Sequence, residues 1–373
     1  MRVSCLQENL AKGLSTVGRA VATRSTLPVL GNVMLATDQG RLKLSATDLE
    51  IGINCWIGAQ VEEEGALTVP ARLLIDFVNS LPAEQIDMEL NVRTQELNLK
   101  CARYEARIKG IDAQEFPLMP TADDSGKQFV LETSLLRQMI NQVAFAAATD
   151  ESRPVLTGVL VTFDGSQLTM AAADGFRLSV RHARLETEAP EPVSVIIPAR
   201  ALAELARISS DEEMPIGLSI TTSRSQALFN LSSTDLVSQL IEGRFPDYTQ
   251  IIPKGYDTQT TVSTNEFLKV CRTASIFARS EAHIIRLRIG DDRIVVAASS
   301  AEMGDNVSEI DAQVEGKPIE IAFNVRFLMD VLSVADAAQV VLETTTGSSP
   351  GVIRPVGTED FVHVIMPMHV RSD

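Results

Sequence analysis

The sequence has few of the residues on which metal enzymes and disulfide-rich domains depend. Its 373 residues include four cysteines and four histidines, and no two cysteines form a CxxC pair. A disulfide framework or structural zinc site needs such ligands at short, regular spacing, so both are disfavoured. We therefore expect no metal and no cofactor.

Long apolar runs are also missing. No segment approaches the roughly 18 consecutive apolar residues of a membrane helix, and the start MRVSCLQENL lacks the apolar stretch of a signal peptide. These absences predict a cytosolic protein without membrane contact. The content of 45% apolar and 22% charged residues is ordinary for a globular chain, whose length predicts two or three domains.

Several landmarks recur at one spacing. Pro28 and Pro154 lie 126 residues apart, as do Asp48 and Asp174. One motif occurs in three versions, which are TVPARLLIDF at 68–77, IIPARALAEL at 196–205 and AFNVRFLMDV at 322–331. The repetition predicts three copies of one domain, with polar boundaries near TADDSGKQ and PKGYDTQ. We place the copies at 1–125, 126–254 and 255–373.

The repeated motif has a structural explanation. Its proline suits the first turn of a helix, and residues such as Leu73 and Leu74 predict an apolar stripe. Each arginine precedes an acid by four residues, as Arg326 precedes Asp330. Such pairs stabilise an exposed helix by only about 0.2–0.5 kcal/mol. The motif therefore predicts a packing unit more than a site with chemistry.

Each copy repeats one order of elements. A helix comes first, and Ser4, Thr133 and Ser263 are its predicted N-caps. Runs such as VLVTFDGSQLTMAAAD predict two strands joined by a turn. The second helix and further hairpins follow. The predicted class is α+β, with two helices and antiparallel sheets in each copy.

Charge is distributed unevenly. The formal net charge of −16 alone predicts a protein that avoids nucleic acid. The summed net charge of the six predicted helices is nevertheless slightly positive, so most of the excess of Asp and Glu lies outside them. If the helices share a face, that face could meet a phosphate backbone while the rest repels it. Exposed helices of mixed charge remain the ordinary explanation.

Catalytic motifs are nearly absent. GSSPG at 347–351 matches G-x-S-x-G, but the residue after Ser349 is Pro350, which has no N–H for an oxyanion hole. Asp174 in AADG could suggest an acidic site. Its counterparts Asp48 and the non-acidic Ser300 favour a structural turn. The C-terminal run VIMPM is unusually apolar, which fits either a last strand or a binding surface.

These residues together resemble the bacterial DNA polymerase III β subunits, the sliding clamps. The resemblance covers the whole chain, and its most specific stretches are TLPVLGNV at 26–33, TDLE at 47–50, TVPAR at 68–72, ADGFRLSV at 173–180, EGRFPDY at 242–248, FNVRFLMDVL at 323–332 and VIMPM at 364–368. It implies three tandem clamp domains and a homodimer joined head to tail as a six-domain ring. It also implies a non-catalytic processivity factor that encircles double-stranded DNA without reading its sequence. The implied protein partners are the polymerase III catalytic subunit, the clamp loader and other proteins with a clamp-binding motif.

The resemblance also implies positions for DNA contact and dimerisation. The DNA-binding residues implied are Arg24 and Arg153 first, then Lys12, Arg19, Arg137, Arg200, Arg207, Lys269 and Arg272. At the dimer interface Ile276 and Phe277 match the family's apolar pair. Ala106 stands where an aromatic residue is expected, with Tyr104 nearby.

A hydrophobic pocket for a partner peptide is implied as well. Its residues would be Leu156, Gly175, Phe176, Arg177, Leu178, Pro246, Ile251, Asn324, Phe327, Val364, Ile365, Met366, Pro367 and Met368, with Ser349 as a weak candidate at the rim. Four positions depart from the family's common residues, namely Phe176 for His, Ala173 for Thr, Gln250 for a basic residue and Phe327 for Tyr. These departures leave the implied pocket apolar and change its polar rim.

Two other function classes compete with a clamp. A repeat-built scaffold without a DNA role would never become topologically trapped on circular DNA. An enzyme using Ser349 or Asp174 would lose a hydrolytic activity when that residue is replaced, while DNA loading stays intact. The sequence favours the clamp.

Overall fold

A computed structural model describes residues 1–119, 125–186, 188–189, 191–221, 225–278, 283–300, 302 and 304–369. Backbone contacts divide the chain into two compact units. Unit 1 combines Met1–Leu135 with Glu204–Leu240, and unit 2 combines Leu136–Ala203 with Ile241–Asp373. Within the described residues, no helix is long and apolar enough to cross a membrane. Residues 121–124 of the predicted boundary TADDSGKQ lie outside the described part.

The described residues form six α-helices, two in each predicted copy. They are α1 Gln7–Val17, α2 Ala71–Ser80, α3 Thr133–Val143, α4 Ala199–Ile208, α5 Thr264–Phe277 and α6 Val325–Val334. In α1 and α6 the apolar positions recur every three or four residues and are buried, as a helix with one core-facing side requires. The predicted pattern of two helices per copy is confirmed.

The strands between the helices also repeat. The first copy contains β1 Arg2–Leu6, β2 Asn32–Asp38, β3 Arg41–Thr47, β4 Ile51–Ile57, β5 Gln60–Glu63, β6 Ala66–Pro70, β7 Gln85–Asn91, β8 Glu96–Cys101 and β9 Tyr104–Lys109. The second contains β10 Ser125–Leu131, β11 Gly158–Asp164, β12 Gln167–Ala173, β13 Arg177–Arg184, β14 Val193–Pro198, β15 Ile216–Thr221, β16 Gln226–Asn230 and β17 Thr234–Gln239. The third contains β18 Thr258–Ser263, β19 Ile284–Gly290, β20 Arg293–Ser300, β21 Gly304–Gly316, β22 Ile319–Asn324, β23 Gln339–Thr344, β24 Gly351–Pro355 and β25 Phe361–Ile365.

All pairings are antiparallel, and strands of the middle copy extend the sheets of both units. Unit 1 has a five-stranded sheet, β5-β1-β7-β8-β9, and an eight-stranded sheet, β10-β15-β16-β17-β4-β3-β2-β6. Unit 2 has one sheet in the order β14-β11-β12-β13-β25-β24-β23-β18-β21-β20-β19-β22. The middle copy contributes to both units because β17 pairs with β4 in unit 1, whereas β13 pairs with β25 in unit 2.

The turns at Asp48 and Asp174 are structural, as predicted. Asp48 Oδ1 accepts hydrogen bonds from the backbone N–H groups of Glu50 and Ile51 at 3.0 and 2.8 Å. Asp174 Oδ1 accepts from the N–H groups two and three residues later, at 2.8 and 3.0 Å. The residue after each aspartate, Leu49 or Gly175, has a positive φ. A side-chain acceptor for two backbone donors explains why both copies keep an aspartate here.

Several predicted details of the helices are wrong. Ser4 lies within β1, and the N-cap of α1 is Leu6, without a side-chain hydrogen bond. The side chain of Glu132, not Thr133, accepts from the first N–H groups of α3, at 2.6 Å for Leu135. Only Ser263 caps as predicted, accepting from Glu266 N at 3.4 Å.

The predicted apolar stripe and ion pairs of the repeated motif also need correction. Leu73 is 54% exposed, so only Leu74 of the adjacent pair reaches the core. Asp330 pairs with Arg177 of the second copy. Glu204 pairs with Arg19 of the first copy and with Arg207, three residues later in its own helix. Tertiary partners compete with the weak pairing four residues apart.

Gly316, at the end of β21, is required by its backbone surroundings. Its φ is +117°, and a Cβ there would lie 2.1 Å from the carbonyl oxygen of Asp257. We expect Gly316→Ala to lower the free energy of unfolding by about 2–4 kcal/mol, because both strain and a backbone clash arise. Chemical denaturation measures this.

The matched control is Gly31→Ala, since a Cβ at Gly31 meets nothing within 4 Å. Its free energy of unfolding should change by less than about 1 kcal/mol. Equal effects of the two substitutions would contradict the close approach of β21 to Asp257.

Candidate peptide and nucleic-acid sites

Three of the predicted pocket residues, Leu156, Leu178 and Val364, lie in an apolar region of unit 2 that we call the apolar site. We define it by two buried clusters, the first being Ala171, Ala173, Leu178, Val180, Val352, Val362 and Val364, and the second Leu156, Ile196 and Phe245. Leu160 and Tyr248 pack against both clusters. Leu156 is therefore connected to Leu178 and Val364 through Leu160 and Tyr248.

Exposed apolar side chains belong to the segments around this surface. Phe176 is 57% exposed, Ile251 41% and Met366 38%. The backbone N–H of Met366 donates to the carbonyl oxygen of Phe176 at 2.8 Å, which fixes the C-terminal segment against the Asp174 turn. Apolar side chains exposed beside an apolar cluster are typical of a surface that binds a partner.

Other predicted pocket residues have structural roles. Ile365 packs in the core formed by the third copy, because successive residues of β25 point to opposite faces of the sheet. Asn324 is the N-cap of α6, and its Oδ1 accepts from Arg326 N at 3.0 Å. Pro246 is exposed beside buried Phe245. Pro367 and Met368 continue the C-terminal segment beyond Met366.

Arg177 holds the second and third copies together beneath the apolar site. Its guanidinium lies 5.3 Å from the ring centroid of Phe145 and 4.5 Å from that of Phe327. Nε donates to Asp174 at 3.0 Å, Nη2 donates to the carbonyl of Phe145 at 2.7 Å, and Nη1 pairs with Asp330. Stacking plus several directed hydrogen bonds is the chemistry for which arginine is suited. Its role here is therefore to position the site.

His363 lies next to Arg177 in the same interior. It is fully buried on β25, its Nδ1 is 2.6 Å from Ser179 Oγ, and its ring centroid is 5.4 Å from that of Phe145. Nε2 has no hydrogen-bond partner among the described residues. Burial, and then the nearby charge of Arg177, lower the pKa of His363 to about 3. The imidazole is therefore neutral at physiological pH.

The corresponding surface in unit 1 is polar. By the spacing of 126, Ser45 replaces Ala171, and Asn54 replaces Val180. Ser45 Oγ donates to Asn54 Oδ1 at 2.7 Å. Asp235 faces Asn54 across the β4–β17 pair, where β13 and β25 instead place Val362 opposite Val180. This difference explains why the repeat produces an apolar site in unit 2 and not at the matching place in unit 1.

Sequence reasoning missed several residues of the apolar site. Tyr248 joins the two clusters, and Val362 lies in one of them. The alternation of FVHVI in β25 could have identified Val362, because Val362 and Val364 point to one face of the strand. Tyr248 begins a short 3-10 helix, Tyr248–Gln250, and carries no periodic signal.

The predicted DNA-binding cations fall into two groups. Three of them pair with acidic residues of unit 1. They are Lys12 in α1, Arg19 just after α1, and Arg207 in α4. Lys12 lies 3.1 Å from Asp211, and Glu204 binds Arg19 at 3.4 Å and Arg207 at 2.8 Å. Ion pairing lowers the net positive charge that these helices offer to phosphate.

The remaining predicted cations differ in their surroundings. Arg153 Nη2 donates to the carbonyl oxygen of Asp174 at 3.0 Å, so this side chain lies at the turn beside the apolar site. Arg137 is half-buried. The exposed ones are Arg24, Arg200, Lys269 and Arg272.

The residues predicted for dimerisation lie in separate units. Tyr104 is 53% exposed at the start of β9, which pairs only with β8 among the described strands. Ile276 is 49% exposed near the end of α5, whereas Phe277 is half-buried and packs against the core of the third copy. The structure contains a single chain, so the interface itself stays a prediction.

The cysteines and Ser349 have the following surroundings. Within the described ranges, no cluster of three or more His, Cys, Asp or Glu could hold a metal ion. The four cysteines are buried and unpaired, and burial raises the pKa of Cys5 to about 12. Ser349 lies in a turn before β24, where Thr346 Oγ1 is 2.7 Å from its Oγ.

Comparison with known proteins gives matches along most of the chain. Three family models match, described as DNA polymerase III beta subunit N-terminal domain at 1–120, central domain at 130–247 and C-terminal domain at 249–369. The chain is 33% identical to a "Beta sliding clamp" of Synechococcus elongatus, covering 100% of both chains. It is 32% identical to that of Staphylococcus aureus strain COL, covering 94% of each.

Solved structures show the same fold. The DNA polymerase sliding clamp from Bacillus subtilis superposes with a TM-score of 0.93 at 28% identity, over 100% of both chains. The DNA polymerase III subunit beta from Pseudomonas aeruginosa gives a TM-score of 0.90 at 28% identity, over 99% of this chain and 100% of the other.

The burial of His363 predicts a pH-dependent stability. Its folded pKa of about 3 is below the ordinary histidine pKa of about 6.5, so between these pH values the unfolded chain binds a proton that the folded chain does not. The free energy of unfolding should therefore fall as pH drops from about 6.5, by at most about 1.4 kcal/mol per pH unit from this group. Urea titrations between pH 7 and pH 5 measure the slope.

The control is His363→Gln, which keeps a polar partner for Ser179 but does not titrate. Its free energy of unfolding should depend less steeply on pH over the same window. Identical slopes for the variant and the original chain would contradict a neutral buried histidine.

Proposed function

This chain belongs to the DNA polymerase III beta subunit family, the sliding clamps, and from that premise we propose how its residues hold DNA and partners. It is a DNA sliding clamp, the non-catalytic processivity factor of replication. The observation that carries the proposal is the threefold repeat, in which a strand of one copy pairs with the last strand of the next. We propose the cytoplasm as its location.

The proposed homodimer joins two chains head to tail as a six-domain ring. Within the chain, β17 adds to β4, and β25 adds to β13. By the repeat, β9 corresponds to β17 and β25, and residues 304–311 of β21 correspond to β4 and β13. In the described structure β9 pairs only with β8, and residues 304–311 pair only with β20. Pairing of β9 with β21 of a second chain would repeat the internal pattern, with Tyr104, Ile276 and Phe277 at the contact. The domains would then be 1–125, 126–254 and 255–373.

Double-stranded DNA is the proposed partner of the predicted cations, bound without sequence specificity. Arg24, Arg153, Arg137, Arg200, Lys269 and Arg272, together with the ion-paired Lys12, Arg19 and Arg207, would face phosphates. Because part of this charge is neutralised by Asp211 and Glu204, each phosphate contact should be weak. Weak contacts permit sliding, whereas a strongly basic surface would hold the clamp at one position.

The apolar site is the proposed attachment point for partner peptides. The polymerase III catalytic subunit, the clamp loader and other clamp-binding proteins would insert apolar side chains beside Phe176, Ile251 and Met366. The carbonyl oxygen of Phe176 accepts from Met366 N and so holds the C-terminal segment at this surface. Large apolar side chains entering such a surface supply most of the affinity of a short peptide.

Topological trapping tests the clamp. We expect the protein, loaded by a clamp loader onto nicked circular DNA, to stay bound at high salt and to be released when the DNA is linearised. The reason is that a closed ring needs no tight phosphate contact to remain on a circle. Gel filtration of loaded DNA measures retention.

The control is the same DNA linearised before loading, which should retain no protein. A scaffold without a DNA role would be absent from both samples. A solution mass equal to one 40.5 kDa chain instead of two would contradict the dimeric ring.

Replacing exposed side chains tests the apolar site. We expect Phe176→Ala and Met366→Ala each to weaken binding of the polymerase's clamp-binding segment by about tenfold, because each removes exposed apolar contact area. Deleting residues 366–373 should abolish it without dissociating the dimer. Fluorescence anisotropy measures affinity.

Leu27→Ala is the matched control, since Leu27 is 50% exposed but lies in unit 1. Its peptide affinity should equal that of the original chain. Unchanged affinity after the deletion of 366–373 would rule out this surface as the peptide site.

A further inference from the structure

A cavity separate from the apolar site lies beside the C-terminal segment in unit 2. Its volume is 380 Å³, and its lining includes Arg286, Glu320, Ala322, Gly347, Met368 and His369. None of these residues belongs to the two apolar clusters that define the apolar site. We call it the Arg286 cavity.

The walls of the Arg286 cavity are fixed by backbone contacts. The N–H of Met368 donates to the carbonyl oxygen of Ala322 at 2.8 Å, so the C-terminal segment adds to the edge of β22. A Cβ at Gly347 would lie 2.6 Å from the carbonyl oxygen of Glu320, so the loop before β24 also approaches β22 closely. Only a residue without a side chain fits there, which makes the cavity a built feature of the fold.

The charge inside the cavity comes from Arg286. It is half-buried on β19, where its cross-strand neighbours are Ala297 and Ala322. The described part of the chain contains no ion pair of Arg286. Glu320 also lines the cavity, but its carboxylate binds Arg288 Nε at 3.0 Å. A partly desolvated guanidinium flanked by alanines is a strong site for a carboxylate.

The Arg286 cavity continues from the apolar site along the C-terminal segment. Met366 is hydrogen-bonded at the apolar site through the carbonyl of Phe176, and Met368 is hydrogen-bonded at the cavity through Ala322. Two residues of extended chain span about 7 Å. A bound peptide two or three residues longer than its apolar part can therefore reach Arg286.

We propose that the Arg286 cavity binds an acidic side chain of the partner peptide, placed two or three residues from the apolar side chains that occupy the apolar site. This inference rests on the proposed peptide-binding function of that site. His369 adds a further polar group to the lining of the cavity. The cavity would thus select peptides that combine an apolar part with a nearby aspartate or glutamate.

Matched peptides test the selection. The probes are fluorescein-labelled peptides with one Leu-Phe pair, flanked by Gly-Glu-Glu on the amino side or the carboxyl side, and the same peptides with Gly-Gln-Gln. We expect one of the two acidic peptides to bind about three- to tenfold more tightly than its glutamine version. The reason is that a half-buried ion pair contributes more binding free energy than an exposed one. Arg286→Gln should remove this difference and leave the glutamine peptides unaffected.

Arg293→Gln is the control, because Arg293 is exposed on the neighbouring strand β20, is paired with Glu309 and does not line the cavity. It should preserve the preference for acid. Equal affinity of acidic and glutamine peptides, or a preference that survives Arg286→Gln, would overturn the inference while leaving the apolar site intact. Failure of every peptide to bind would instead overturn the proposed peptide-binding function and this inference with it.

Discussion

The pairing of strands between neighbouring copies is the constraint on which the other features depend. Where β13 meets β25, the backbone ladder brings Ser179 opposite His363 and Leu178 opposite Val364. One face of that pair buries the polar contacts of Arg177 and His363, and the other carries the apolar site. Backbone hydrogen bonds do not depend on side-chain identity, so the same strand pairing between copies, which we call the joint, can form where the sequences have diverged.

Divergence at that joint separates a structural role from a binding role. In unit 1 the joint between β4 and β17 is covered with Ser45, Asn54 and Asp235, and burial raises the pKa of Asp235. In unit 2 the matching positions are alanine and valine. Removing polar groups from one joint lowers the cost of burying a partner's apolar side chains there. The repeat therefore supplies a scaffold, and a few substitutions decide which joint binds.

Much of the fold follows from sequence because its signals are periodic. The spacing of Asp48 and Asp174 identified the repeat, and hydrogen bonds confirmed both turns. Local signals were less reliable where tertiary partners compete. The cap of α3 is the side chain of Glu132 and not the predicted Thr133, and Asp330 pairs with Arg177 of another copy and not with Arg326. The Arg286 cavity was invisible in the sequence, because it arises where Gly347, Met368 and Ala322 meet from three distant segments.

The two strand edges proposed for dimerisation impose a counting rule on assembly. In that proposal each chain offers one edge at β9 and one at residues 304–311 of β21, so every association of two chains uses one edge of each kind. An open series of any length always leaves one edge of each kind unsatisfied, whereas a closed series leaves none. Closure therefore gains one strand pairing without ordering another chain, and it removes the ends at which further copies could add.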